Sequence, residues 1–309
     1  MSSSKSKSSS QYGTSQLFNF ARDSYLERTS RPIYSLVYLI PFIVIYEIGT
    51  VLVNTDELRQ SLRVVSFVWL KELLEWAGFG SNFAFVAAPL AVVVILLALQ
   101  ITSRTKWSIN LKDLMPMMGE CAMLAIPLIV LSLLLNRPAA PNAAQVWQCQ
   151  AKTTIAKAPM VTKYQAVGVG QMPATPKAPA RSTSPLLANI ITGIGAGIYE
   201  ELIFRLIFIT LLMLLLFDVV GMDHSTALLV SVFISAGLFS AHHHIIFIDG
   251  RFATTAAFSW TAFIFRTLAG VYFAGLFAVR GFGITAGTHA FYDIIAAVLN
   301  SMLFSWQNP

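Results

Sequence analysis

The sequence predicts an all-α protein, a polytopic membrane bundle of about seven transmembrane helices (six to eight). Three observations predict it. Of 309 residues, 56% are hydrophobic and only 12% charged, whereas a soluble domain carries about 25% charged residues. Several apolar runs approach or exceed the roughly 20 residues that a helix needs to cross a bilayer. Those runs are uninterrupted, without the apolar-polar alternation of a membrane barrel strand.

The net charge of +6 and pI near 9.4 do not point to nucleic acid. Lys and Arg collect in the amino-terminal tail and the loops, which is the ordinary pattern of basic flanks around membrane spans. Of the two cysteines, Cys121 falls in an apolar run and Cys149 in a polar loop. That placement gives no disulfide framework.

Residues 1–33 read as a polar amino-terminal tail, Ser-rich at its start with Lys5 and Lys7. A three-span unit follows over 34–135, with spans at 34–53, 83–101 and 115–135. Within it, about 58–77 is different. Leu58, Leu62, Val65, Trp69, Leu73 and Trp76 recur at helical spacing among Arg59, Arg63, Lys71, Glu72 and Glu75. This pattern predicts an amphipathic helix lying at the interface with tryptophan anchors.

Residues 136–186 form a basic, Pro-rich loop. The stretch 136–185 holds seven of the thirteen prolines and six basic residues with no acidic one. Such a segment buries too little apolar surface to offset its ordering entropy. The remaining spans, 187–217, 226–248, 256–279 and 282–304, make up the unit 187–304, with a short tail at 305–309. The first of them is 31 residues long, so it tilts, bends near Gly193 to Gly197, or projects from the bilayer.

Arg22, Arg28 and Arg31 precede the first span, and Arg104, Lys106 and Lys112 follow the second. If these two spans form a hairpin, both basic flanks share one side. That arrangement predicts a cell (inner) membrane protein with a cytoplasmic amino terminus.

The fourth span carries the chemistry. Tyr199-Glu200-Glu201-Leu202-Ile203-Phe204-Arg205 interrupts an apolar run, and each ionisable group at a bilayer's centre costs roughly 2.5–3.5 kcal/mol on insertion scales. Glu201 and Arg205 are four apart, the favourable order for an ion pair on a helix. Glu200 points about 100° away and stays free to act. The bland alternative is a structural ion pair with a spare, protonated glutamate.

His242, His243 and His244 close the fifth span's string Leu238-Phe239-Ser240-Ala241, and His289 and Asp293 share one helical face in the last span. Either group alone fits a packing hydrogen bond or a helix-helix contact equally well. Together with the glutamates they are harder to explain separately, because lipid supplies no polar partners. Convergence on one wet cavity satisfies them all. Arrival of Glu200 and His243 at a common depth requires the fourth span to tilt or shift and the fifth to continue past His243 through Ile245 to Ile248.

Glu200-Glu201-x-x-x-Arg205, Phe239-x-x-x-His243 and His289-x-x-x-Asp293 together resemble the three-motif pattern of the CPBP (CAAX protease and bacteriocin-processing, Abi) family. That family includes the type II CAAX prenyl endopeptidases and bacterial relatives linked to bacteriocin immunity. The resemblance covers about 187–304. It implies an intramembrane endopeptidase in which Glu200 activates water, His243 assists proton transfer, His289 and residue 293 stabilise the oxyanion, and Arg205 holds Glu201. Prenyl endopeptidases typically have Asn where Asp293 stands, so donation there needs a protonated aspartate or a different role. The triple histidine leaves His242 as a rival to His243.

The mechanism that the resemblance implies needs no cofactor. The alternative is zinc held by His243, His289 and Glu200 with an open position for water. Expected partners are membrane lipid and a peptide or protein substrate that can itself be lipidated. Two rival functions use the same residues: a proton-coupled transporter, against which the first half shows no matching repeat, and a non-catalytic immunity or binding protein on the same scaffold.

Overall fold

The computed structural model describes residues 20–53, 64–135, 185–248, 251–254 and 258–307. The start of the polar tail, residues 58–63 of the amphipathic helix, Cys149 and the basic loop over 136–184 lie outside the described residues.

The order is α1 (Tyr25–Thr29), α2 (Pro32–Val53), α3 (Val65–Trp76), α4 (Ser81–Ser103), α5 (Leu114–Leu135), α6 (Pro185–Glu201), α7 (His224–His242), β1 (Ile245–Ile248), β2 (Arg251–Thr254) and α8 (Trp260–Gln307). Six helical segments among the described residues are long and apolar enough to cross a membrane. The chain is an integral membrane protein with an all-α bundle.

The last of the six is two spans in one. Gly281 adopts φ 77° and ψ −179°, a conformation essentially open only to glycine. The chain folds back there. Phe273 stacks on His289 and Phe265 packs against Tyr292, pairs that an unbroken helix would hold tens of ångströms apart. The arms 260–280 and 282–307 are therefore an antiparallel hairpin, which restores the expected seven crossings.

α6 does not bend at its glycines. It stays helical through Glu201 and then widens into π-type turns over Leu202–Ile209, an α turn at Thr210–Met213 and a second π-type stretch at Leu214–Val219. Wide turns disturb the regular backbone ladder, and Ser235 of α7 donates its hydroxyl to the Phe204 carbonyl at 2.7 Å. The glycines serve close approach instead. A Cβ on Gly197 would sit 2.6 Å from the Ala290 nitrogen and 2.7 Å from the Ala286 oxygen, so backbone meets backbone between α6 and the second arm of α8.

α7 also departs from expectation. It ends at His242, with His243 as its C-cap, and the next residues pair as an antiparallel ribbon, Ile245 opposite Thr254 and Ile248 opposite Arg251. No continuation past His243 is needed, because depth is set from the connection between α6 and α7. Glu200 lies nineteen residues before Val219, and His242 lies eighteen after His224. The two helices return to the same level.

α3, the described part of the expected amphipathic helix, packs into the bundle. Val65, Phe67 and Leu70 are buried while Leu73 and Trp76 face outward. Its Phe67 ring meets Tyr46 and Tyr199, and its Trp69 ring meets Phe204 and His242. One apolar core joins α2, α3, α4, α5, α6 and both arms of α8.

At the end of the bundle bearing α1, a second polar network forms. Arg280 grips Glu120 with two nitrogens at 2.6 and 2.8 Å and donates to Leu26 O, Ser30 Oγ and Thr29 Oγ1. Arg28 makes a two-pronged contact with Asp113, which also accepts from Tyr34. These bonds hold α1 across the start of α5 and the tip of the α8 hairpin. Glu120, an acid inside the apolar run 115–135, finds its polar partner here rather than near Glu200.

Candidate active site

At the other half of the bundle, α6, the end of α7 and both arms of α8 enclose a cavity of about 110 Å³, room for several waters. Its walls include Glu200, His243, Arg266, Phe273, His289 and Asp293. The helix polarity fixes where it opens: Asn189, near the start of α6, and Asn300, near the end of α8, also line it. Its mouth therefore faces the end opposite α1.

The two adjacent glutamates have separate surroundings, as their helical offset dictates. Glu201 is wholly buried. One oxygen lies 3.0 Å from Arg205 Nε, and the other accepts from His289 Nδ1 at 2.7 Å. Arg205 is equally buried and is held by more than its carboxylate. Its guanidinium stands 4.2 Å over the Phe239 ring and donates to Gly270 O at 3.4 Å, so cation–π and backbone contacts share the load.

Glu200 faces the imidazoles of the α7 end. Its Oε1 is 3.6 Å from His242 Nε2, and its Oε2 is 3.9 Å from His243 Nε2. Both separations exceed a direct hydrogen bond, and Oε2 has no hydrogen-bond partner among the described residues. The Nδ1 atoms of His242 and His243 both contact the Phe239 carbonyl, at 2.5 and 2.8 Å. That shared contact turns both Nε2 atoms toward Glu200. The two rings differ in setting: His242 is packed among Trp69, Phe204 and Phe239, whereas His243 lines the cavity.

His289 is fixed on both sides. Phe273 stacks on its ring at 4.5 Å, Nδ1 is engaged by Glu201, and Nε2 lies 3.6 Å from Asp293 Oδ2. Asp293 stays partly exposed on the cavity wall, with Gly193 of α6 passing close to its Cβ. The seven residues singled out from the sequence thus meet in one place. Glu200, His242 and His243 form one group, and Glu201, Arg205, His289 and Asp293 form the other.

Among the described residues, the first group could hold a metal. Its ligand atoms all lie within 4.8 Å of one another, and two imidazoles with one carboxylate are a fitting donor set for zinc. The composition differs from the sequence expectation: His242 joins His243 and Glu200, while His289 has its Nδ1 committed to Glu201.

Several cavity residues were not read as functional from the sequence. Phe273 and Tyr292 are aromatic residues in aromatic-rich spans and carry no distinguishing pattern. Arg266 does carry one. It is a cation inside the apolar run 256–279, and the insertion cost that drew attention to Arg205 applies to it equally. Chemically, the cavity offers a carboxylate base, imidazoles for proton transfer and donors on the opposite wall.

Residues 182–295, just over a third of the chain, match the model of the family described as Type II CAAX prenyl endopeptidase Rce1-like. No curated protein and no solved structure matches the chain.

Proposed function

We propose that this chain, whose residues 182–295 match the model of the Type II CAAX prenyl endopeptidase Rce1-like family, is an intramembrane endopeptidase that hydrolyses a peptide bond with water activated by Glu200. One contrast carries the reading. Glu201 is committed to Arg205 and His289, whereas Glu200 stands on the cavity wall with Oε2 beside an imidazole and no direct hydrogen bond. That is the arrangement of one structural and one working carboxylate.

In the proposed reaction, Glu200 takes a proton from a water cupped between its carboxylate and the Nε2 atoms of His242 and His243. The water oxygen bonds to the scissile carbonyl carbon. The carbonyl oxygen gains charge toward His289 and Asp293. His289 donates to it from Nε2 in its protonated form, and Asp293 adds a donor when its carboxyl carries a proton. Collapse breaks the C–N bond, and the proton held by Glu200 and its imidazoles passes to the leaving nitrogen. One water is consumed, giving one new carboxylate and one new amine.

The substrate implied by the family is a peptide with a lipidated cysteine near its end, reached within the membrane. The proposal keeps the cell membrane as its site, with the amino terminus cytoplasmic, because Arg22, Arg28, Arg31 and the 104–112 loop share one end of the bundle. Labelling of single cysteines from either side of sealed vesicles tests that orientation. The cleavage itself is tested with purified protein in lipid nanodiscs and an S-farnesyl CAAX peptide, read by mass spectrometry. Two fragments whose masses sum to peptide plus water are expected; an intact peptide after prolonged incubation contradicts the proposal.

A second reading has its own support in the compact Glu200, His242 and His243 group. In that case these three side chains would hold a zinc ion, and the chemistry it would supply is Lewis-acid activation of water. Dialysis against a strong chelator separates the two. The glutamate mechanism predicts cleavage within about twofold of the untreated protein. Loss of cleavage restored by zinc alone establishes the metal reading.

A further inference from the structure

Arg266 has no part in the hydrolysis described above, yet it is placed where a substrate must pass. It is buried, it lines the same cavity as Glu200 and His289, and its Nη1 lies 3.4 Å from His244 Nε2. His244 stands beyond the end of α7. Its Nε2 accepts from the Arg266 guanidinium. Phe258 and Phe263 pack around the His244 ring. An imidazole so held fixes the position of the arginine. A guanidinium presents its N–H donors in a planar fork suited to carboxylates.

Position then suggests which carboxylate. Arg266, Ala269 and Phe273 all line the cavity along one face of the first α8 arm, and Phe273 stacks on His289. Seven residues separate Arg266 from Phe273, about 10 Å along the helix axis. An extended peptide advances about 3.3 Å per residue, so its backbone covers that distance in about three residues. A chain cleaved at the level of His289 and running toward the cavity mouth brings a group about three residues further on to Arg266.

We propose that Arg266, positioned by His244, is a specificity-determining residue that binds the free α-carboxylate of the substrate's carboxyl terminus. The inference rests on the proposed peptidase function for its substrate but not for its test. The cavity then selects chain ends over internal segments, because an internal peptide bond presents no anion at Arg266.

The test compares a fluorescein-labelled S-farnesyl CAAX peptide as free acid and as carboxyl-terminal amide, with the full-length protein in phosphatidylcholine nanodiscs. Binding is measured first on the Glu200→Gln protein, so that no turnover is required. The acid is expected to bind at least about tenfold more tightly than the amide, the lower range for a charge-assisted hydrogen bond. Adding Arg266→Gln removes that preference by weakening the acid alone, while Arg266→Lys keeps part of it. In the otherwise wild-type protein, Arg266→Gln raises KM for the acid by a larger factor than KM for the amide.

Equal or absent binding of the two peptides overturns the proposal, as does an equal loss for both on Arg266→Gln. So does an acid preference that disappears in phosphatidylglycerol nanodiscs, since Arg266 would then be taken by a lipid headgroup. Retained discrimination in binding without any cleavage leaves Arg266 in its assigned role and instead refutes the peptidase reading.

Discussion

Glu200→Gln is expected to lower peptide cleavage by at least about 10³-fold, within the range that a positioned general base contributes. The amide has nearly the shape of the carboxylate and can still accept one hydrogen bond, but it cannot take a proton from water. Because Glu200 has no direct hydrogen bond from Oε2 and sits on the cavity wall, the change leaves no partner stranded. Thermal unfolding in detergent should therefore stay near that of the wild type. Single-turnover rates check the prediction. Glu201→Gln is expected to behave differently: it removes the charge that faces Arg205 and receives His289, so stability falls along with activity, as for any broken buried pair.

The second large effect comes from a residue with no side chain. Gly197 is one turn before Glu201, and any Cβ there would lie 2.6 Å from the Ala290 nitrogen, next in sequence to His289. Gly197→Leu must push α6 away from the second arm of α8. That displacement separates Glu201 from His289 and moves Glu200 relative to the donors across the cavity. Since misplacement by about 1 Å can cost on the order of 10²-fold, cleavage is expected to fall by at least that much, with a lower unfolding temperature. Gly197→Ala should show a smaller loss of both. Initial rates and melting curves measured on the same preparations check this, and wild-type cleavage by the leucine variant contradicts the close packing.

Much of this architecture was legible in the sequence because membrane insertion imposes strict rules. An apolar run of sufficient length reads as a span, and the hairpin in α8 was visible as two runs parted near Gly281. The cost of ionisable groups in hydrocarbon made the convergence of Glu200, Glu201, Arg205 and the histidines an economical expectation. Three features were not read from the sequence, each for a local reason. The widening of α6 after Glu201 coincides with a tertiary donor, Ser235, bonded to the Phe204 carbonyl, and no periodicity reports such a contact. The ribbon after His242 was overlooked because Ile245 to Ile248 is as apolar as a helix end, although Asp249-Gly250 just beyond it is a hairpin dipeptide. The partner of Glu120 was out of view because Arg280 lies 160 residues away and reads as a loop cation between two spans.

Site assignments followed the same division. The i, i+4 pairing of Glu201 with Arg205 is a property of one helix and could be read directly. That His289 Nδ1 also turns to Glu201, and that Phe273 stacks on the ring, depends on how three helices pack. The triple histidine shows the limit most clearly. Helical spacing sets His242 and His243 about 100° apart, but the helix ends between them and both rings turn to the same Phe239 carbonyl.

The most direct test of the central claim is the fate of oxygen in the first turnover. Wild-type protein in excess over an S-farnesyl CAAX peptide is reacted in ¹⁸O-labelled water, and the new carboxylate is weighed. Attack by water activated at Glu200 predicts one ¹⁸O in every product molecule and none in the protein. Label appearing in the Glu200 side chain, with unlabelled oxygen in the product, would show that the carboxylate attacks the peptide itself and would contradict the mechanism.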